Sequence, residues 1–402
     1  MLIGGYMQSN KYLFAQSNKY LFAHYLRGLA AITVIFAHYG SAYFNANPFL
    51  SSIVNVPRLT DTSYPWIIQQ FPFDFPGFLA TFGVCVFFMI SGFVIPISIE
   101  KYKCCMFLIK RFFRLFPTYL FVYGVNLLVA LMGYLIFKGH GVFYPFDIKD
   151  VLSSSLIGIN TFINGVVGLD PVAWTLAIEI LFYFTMAVVF NVVFKLKNKR
   201  EIGLFDILML SFLLNLCVIK LSKYYDVLFP AGGGLNGASL IKALFFISVM
   251  LLGTSFYLHA KGRITARALF FTLVAQFWGI VYVSMHIHQS AMYIDSSRVF
   301  SWIGITILVF SFCYFMDSQI KEHKVFGFFG DISYPLYLCH SYIGYLILGV
   351  VSSYLPILPR SFIILLPLPF VITVAWYIHK YVEMPSSRFL PQKTVINNYF
   401  IK

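Results

Sequence analysis

Two ionisable residues inside one apolar stretch are the first chemistry this chain offers. Arg27 and His38 both fall in LRGLAAITVIFAHYG. An ionisable side chain within a membrane span is costly enough to mark function by default. At 100° and 1.5 Å per residue, the eleven-residue separation returns a helix to within ~20° of the same face after a rise of ~16.5 Å. One helix face then carries a cation near one membrane surface and an imidazole about three turns deeper. That arrangement suits an elongated anionic ligand whose reactive end reaches into the bilayer.

Further groups lie along the chain. In KCCMFLIKRFFRLFPTY, Arg111 and Arg114 are three apart and share a helix face. Their planar guanidinium groups can grip phosphate oxygens bidentately. Lys101 and Lys103 read as headgroup anchors, and Pro117 as a kink or helix start. In FGVCVFFMISGFVIP, Ser91 and Gly92 let a helix or a ligand approach the backbone closely, with packing the readier role for that motif alone. In DPVAWTLAIEILFYF, Thr175, Glu179 and Tyr183 form a polar stripe. Glu179 lies about eight residues, ~12 Å, from the outer end of its span, and His38 leaves roughly 10–12 Å to the same surface. The two are expected to meet at one depth; a structural helix-to-helix hydrogen bond is the alternative for Glu179. In DISYPLYLCHSYIGY, Asp331 or Ser333 can cap a helix with Pro335 in its first turn, and Tyr337, His340 and Ser341 share a face. His340 either lines a site or satisfies a core hydrogen bond. Glu383, in YVEMPSSRF after the last span, either orients an arginine or is a surface carboxylate. His286 and His288 have no third ligand in view, so no metal is expected.

The elements that must position these groups follow from composition. Apolar residues make up 59% of the 402, charged residues 11%, and mean hydropathy is +0.80. That composition predicts an all-α, polytopic integral membrane protein. Apolar windows near 26–44, 77–99, 112–137, 171–194, 203–220, 239–258, 267–285, 299–317, 328–352 and 361–380 give about ten transmembrane helices. A further window, 151–168, is rich in Ser, Gly and Asn. The basic clusters Lys101–Arg114, Lys195–Arg200 and Lys261–Arg267 fall on one side only if 151–168 does not cross. It is therefore expected to be an outer-face or re-entrant element, with both termini cytoplasmic and 45–76 and 138–170 facing outward. The organisation is a tail over 1–24, a transmembrane domain over 25–385 and a tail over 386–402. No cleavable signal peptide is expected. The N-terminal tail repeats QSNKYLFA at Gln8–Ala15 and Gln16–Ala23, a duplication with no chemistry assigned. The net charge of +14 is expected to flank spans and not to bind nucleic acid. The six cysteines lie in or beside apolar segments and read as packing residues. Outer aromatic residues such as Trp66 and Phe71 read as an interface belt, with sugar stacking as the alternative.

In order along about residues 20–390, these motifs resemble the membrane-bound acyltransferase family 3, the bacterial sugar O-acyltransferases. Arg27 and His38 match its R-x10-H signature, Phe87–Phe93 its FFxxSGF, Arg111–Pro117 its RxxRLxP, and Trp174–Glu179 its W-[ST]-L-xx-E. Ser333–His340 match SY-x-YLxH with Pro-Leu between the tyrosines, and Glu383–Pro385 the late E-x-P. The resemblance implies an acyl-CoA donor, usually acetyl-CoA, and a carbohydrate or lipid-linked glycan acceptor at a bacterial inner membrane. CoA phosphates would sit on Arg27, Arg111 and Arg114, with the pantetheine arm passing Ser91 and Gly92. His38 would act as general base, with Glu179 orienting it or steadying the imidazolium. Trp174, Tyr337 and His340 would meet substrate, and Glu383 would be structural. An acyl relay on His38 is a variant of this scheme. Many relatives carry a fused outer esterase domain; this chain is expected to transfer directly or with a separate protein. An oligomer is compatible with all of this. The competing classes are a proton-coupled transporter and a glycan polymerase or ligase, against which stand the absence of an inverted hydropathy repeat and an outer 45–76 stretch holding only Arg58.

Overall fold

The computed structural model describes residues 20–71, 75–139, 146–164, 169–197, 201–230, 234–288 and 296–388. The duplicated octapeptide up to residue 19 and the tail beyond residue 388 lie outside them. Among the described residues, ten helices are long and apolar enough to cross a membrane. They are α1 (Leu21–Asn45), α2 (Gly77–Lys101), α3 (Cys104–Phe137), α4 (Ala173–Leu196), α5 (Leu204–Lys223), α6 (Gly237–Ala260), α7 (Ala266–His286), α8 (Ser296–Phe315), α9 (Lys324–Tyr354) and α10 (Arg360–Ser387). The β-structure among the described residues is one isolated bridge between Ile163 and Leu235. The protein is an all-α, multi-pass membrane protein.

Each predicted window has its helix, but four helices overrun theirs by about a turn or more. Helix α1 begins at Leu21, α3 at Cys104 and α9 at Lys324, and α10 runs to Ser387. Apolar windows register lipid-facing composition, whereas the backbone needs internal hydrogen-bond partners beyond the hydrocarbon edge as well. The overrun changes several assignments. Arg111 and Arg114 ride on α3 itself and not on a loop before it. Asp331, Ser333 and Pro335 lie inside α9, so neither polar residue is its cap and the proline is not in its first turn. Pro117 is likewise interior to α3. Glu383 belongs to α10, in a π-helical stretch from His379 to Glu383.

The 151–168 window does not span. Its described part holds the end of a short helix, Ile148–Ser154, and a 3₁₀ turn, Ile159–Phe162; both are far shorter than a bilayer requires. Two α3 tyrosines hold this element: Tyr119 donates to the Ser154 carbonyl at 2.7 Å and Tyr123 to that of Val151 at 2.8 Å.

Two close helix contacts set the core. Helix α2 lies on α6 along small residues: a Cβ on Gly92 would overlap the Met250 carbonyl, and one on Gly253 would overlap that of Met89. Thr254 Oγ1 donates to the Gly92 carbonyl at 2.9 Å across the same contact. Gly92 therefore serves helix packing, and the expected contact with a bound pantetheine arm is not what its backbone face meets. Helix α1 lies on α9 and runs parallel to it in register. A Cβ on Gly28 would sit 2.8 Å from the Gly330 nitrogen, and ten residues further along each helix His38 meets His340.

Asp170 holds the start of α4. Its Oδ1 accepts from the Val172 N–H at 3.0 Å, and the residue is buried. Burial pushes its carboxyl up to about 6, against the opposing pull of the backbone N–H groups of Val172 and Ala173.

Two outcomes test this packing. Gly92→Ala should overpack the α2–α6 contact and cost ~1–3 kcal/mol, read as a lower melting temperature in detergent; an unchanged value would remove Gly92 from the interface. For Asp170 the folded state favours the protonated carboxyl. Its contribution is therefore complete below the unfolded value near ~3.9 and is lost as pH rises through about 6. Asp170→Asn keeps the acceptor oxygen and should match the wild type at pH 4 yet be more stable at pH 8, by up to ~3 kcal/mol. A stability gap independent of pH would contradict this assignment.

Candidate active site

A cavity of about 1010 Å³ opens between α1, α2, α3, α4, α9 and the end of α10. Arg27, Arg111 and Arg114 all line it, together with Ser91, Glu179 and Tyr337. The sequence expectation that the three arginines converge is thus what the fold delivers. Arg27 Nη2 donates to Ser333 Oγ at 3.0 Å, and that hydroxyl donates on to the Gly330 carbonyl at 2.8 Å. Arg111 is buried, with its guanidinium carbon 5.5 Å from the ring centroids of both Phe107 and Tyr183. The rings hold the cation in place without neutralising it. Among the described residues, no carboxylate lies within ion-pair distance of any of these three arginines.

Three of the carboxylates that line the cavity are engaged elsewhere. Glu383 pairs with His379 at 2.7 Å, and Asp331 with His24 at 3.3 Å. Of the two roles left open for Glu383, an arginine's partner or a surface carboxylate, the structure shows neither: it pairs with His379 of its own helix. Glu179 Oε1 accepts from Tyr183 at 2.6 Å and from Ser91 at 3.0 Å. These bonds fix Glu179 at the arginine end of the cavity. Ser91, by contrast, reaches the cavity as expected.

His38 lies elsewhere. Thr175 Oγ1 and the Tyr337 hydroxyl are hydrogen-bonded at 3.0 Å, which levels α4 with α9. From there Glu179 is four residues toward the arginines and His340 three residues the other way, since the two helices run in opposite directions. Their separation along the axis is ~10 Å. Glu179 therefore does not orient His38. Counting rise from each membrane surface misplaced it by more than a turn, because α1 and α9 extend further past their windows than α4 does.

His340 supplies the partner. His38 Nδ1 and His340 Nε2 are 2.9 Å apart, and His340 Nδ1 is 2.7 Å from the Tyr337 carbonyl. A carbonyl can only accept, so His340 Nδ1 carries the proton. The Nε2 of a neutral His340 is then an acceptor, and His38 Nδ1–H donates to it. That leaves the lone pair on His38 Nε2 unused, the state a general base or nucleophile needs. His340 is fully buried and His38 is partly exposed. His38 also opens a π-helical stretch, His38–Ala42, a local unwinding that recurs at functional positions. Tyr345 stacks on His38 at 6.3 Å, and Tyr39 donates to the His340 carbonyl at 2.8 Å.

Tyr337 stands between the two halves. Its ring is edge-on to Phe87 at 5.4 Å and it lines the cavity, while its carbonyl holds His340. One face of Trp174 is taken by Lys242, whose Nζ sits 3.5 Å from the ring centroid, and the Phe246 ring is 5.7 Å away.

Residues 20–380 match the acyltransferase domain of family 3. The chain belongs to that family. No curated protein and no solved structure matches it. The match covers every group described above except Glu383, and it makes the protein a membrane acyltransferase.

The two halves should respond differently to substitution. His340→Ala removes the acceptor for His38 Nδ1–H and should slow acyl transfer by ~10²–10⁴-fold, with little change in KM for the acyl donor. His340→Gln, whose amide oxygen can accept, should recover part of the rate. Arg111→Lys keeps the charge but loses the fork, so it should raise the donor KM. A raised donor KM in His340→Ala, with turnover intact, would assign that histidine to binding.

Proposed function

We propose that this acyltransferase moves an acyl group, in the simplest case acetyl, from acyl-CoA to a hydroxyl of an envelope glycan. The observation that carries the reading is three arginines without acidic partners in one cavity, with the histidine pair one turn beyond its far wall. At about 1010 Å³ the cavity lies at the upper end of small-molecule sites, ~300–1,000 Å³, which suits a donor as large as acyl-CoA. The phosphates would meet Arg27, Arg111 and Arg114. The pantetheine arm would run along Ser91 toward Tyr337, and the thioester would end near His38.

The chemistry then follows from the tautomer. His38 Nε2 takes the proton of the acceptor hydroxyl as its oxygen attacks the thioester carbonyl. The carbon–sulfur bond breaks, and the departing thiolate takes the proton back from the imidazolium. The products are an ester and free CoA. His340 accepts the His38 Nδ1–H bond throughout, so the ring stays oriented as it charges. Glu179 holds Ser91 and Tyr183, and Tyr183 in turn flanks Arg111; its part is to shape the donor end.

On this reading the arginine end is cytoplasmic, where acyl-CoA is made, and the membrane is the bacterial inner membrane. The basic residues Lys101, Lys103, Lys110, Lys261, Arg263 and Arg267 flank helix ends of that side, in keeping with the positive-inside rule.

Radiolabelled acetyl-CoA gives the direct test. The wild type should release CoA in the presence of glycan acceptor, and His38→Ala should lose ~10²–10⁴-fold of that rate while still binding acetyl-CoA. Wild-type acylation by His38→Ala would exclude the base role. Absence of acetyl-CoA binding by the wild type would exclude the donor.

A further inference from the structure

Lys242 is a cation inside the bundle with no acid to answer it. It is the sixth residue of α6, about one and a half turns from that helix's N-terminal end. A lysine so close to a membrane surface ordinarily extends its stem and keeps its ammonium in water. Here the ammonium is folded inward onto the face of Trp174, 3.5 Å from the ring centroid, and the side chain is only partly exposed. Among the described residues no carboxylate pairs with it. An aromatic face recovers only a fraction of what a desolvated ammonium loses.

Its position excludes the donor as the missing anion. Helix α6 contributes no residue to the walls of the arginine cavity. Trp174 is absent from those walls as well, although its neighbour Thr175 belongs to them. Lys242 and Trp174 lie instead on the other side of the Thr175–Tyr337 hydrogen bond, within about a turn of the depth of His38 and His340. On the proposed reaction the molecule receiving the acyl group sits at this depth.

We propose that Lys242, held over Trp174, is the acceptor subsite for an anionic group, a sugar carboxylate or a phosphate, on the molecule that is acylated. This rests on the acyl-transfer reading for its reaction, but not for its binding. The ammonium supplies the charge, and Trp174 holds it where a point contact to an anionic oxygen selects acidic over neutral acceptors. Lys242 is a specificity residue in this scheme and does not touch the bond being made.

Binding can be read without any turnover. In a protein keeping Trp174 as its only tryptophan, with Trp66, Trp278, Trp302 and Trp376 changed to Phe, an anion drawing the ammonium off the indole should change the fluorescence. The probes are a glucuronate–N-acetylglucosamine tetrasaccharide, neutral chitotetraose, and inorganic phosphate, each at constant ionic strength. We expect a saturable change with the acidic tetrasaccharide or with phosphate, none with chitotetraose, loss of the change in Lys242→Met, and its retention in Lys242→Arg. A response to the tetrasaccharide alone marks a carboxylate ligand, and a response to phosphate alone marks a phosphate-bearing one. An equal response to chitotetraose, an unchanged response in Lys242→Met, or no response to either anion overturns the proposal. With acetyl-CoA present, Lys242→Gln should raise the KM for the acidic acceptor roughly tenfold to a hundredfold and leave the KM for acetyl-CoA unmoved. Anion binding without CoA release would count against the acyl-transfer reading and leave the subsite standing.

Discussion

The parallel, in-register contact between α1 and α9 is the constraint on which the rest depends. Gly28 lets the α1 backbone come against Gly330 of α9, and the two helices then stay paired for ten residues to His38 and His340. A side chain at either glycine would push the helices apart and break the imidazole pair. The same contact brings Arg27 within reach of Ser333, so one interface positions a cation of the arginine cavity and the histidine pair beyond it. Small residues at helix crossings do this generally, since close backbone approach is what packing in lipid rewards. Here the approach also fixes the tautomers of two histidines. Tyr337 carbonyl, His340 and His38 form a line in which each proton has one available home.

Charge inside the bundle is organised by sign and depth. A buried cation is expensive, yet Arg27, Arg111 and Arg114 share one cavity while the nearby acids take other partners. Glu179 shows how. Instead of neutralising an arginine it accepts from Ser91 and Tyr183, and Tyr183 presents its ring to Arg111. Arg111 is thereby held by aromatic faces and Arg27 by a serine, which orient a guanidinium without occupying its charge. Further along α3, tyrosine hydroxyls meeting backbone carbonyls fix the short 148–162 element.

How much of this was legible in the sequence depends on the kind of information asked for. Ten spans follow from composition, and the status of 151–168 followed from the side on which bases accumulate; α4 starts where that argument requires. Arg27, Arg111 and Arg114 were legible as a set because like charges near one surface need only helix direction to converge. The partner of His38 was not. Depth was estimated from apolar windows, and α1 begins more than a turn before its window while α4 begins just inside its own, so the errors accumulated and Glu179 appeared level with His38. The choice between Glu179 and His340 also turns on helix register, which no spacing within one helix contains. Gly92 was legible as a small residue for close approach, and only α6 decides that the approaching group is the Met250 backbone. Lys242 carried a readable signal, a single cation inside the sixth apolar window, but its meaning depends on Trp174 lying beneath it.

Tyr337 ties these parts into one device. Its hydroxyl meets Thr175, its ring meets Phe87, and its carbonyl meets His340. The first two contacts close the arginine cavity, and the third fixes the tautomer of the histidine pair. On the proposed reaction a thioester reaching His38 would pass this ring, whose own residue orients the histidine pair through its carbonyl. Because the carbonyl belongs to a helical backbone and the ring hangs on a rotatable bond, the side chain could turn while the histidine pair stays in place. Access from the arginine cavity and orientation of the pair would then be separated within one residue.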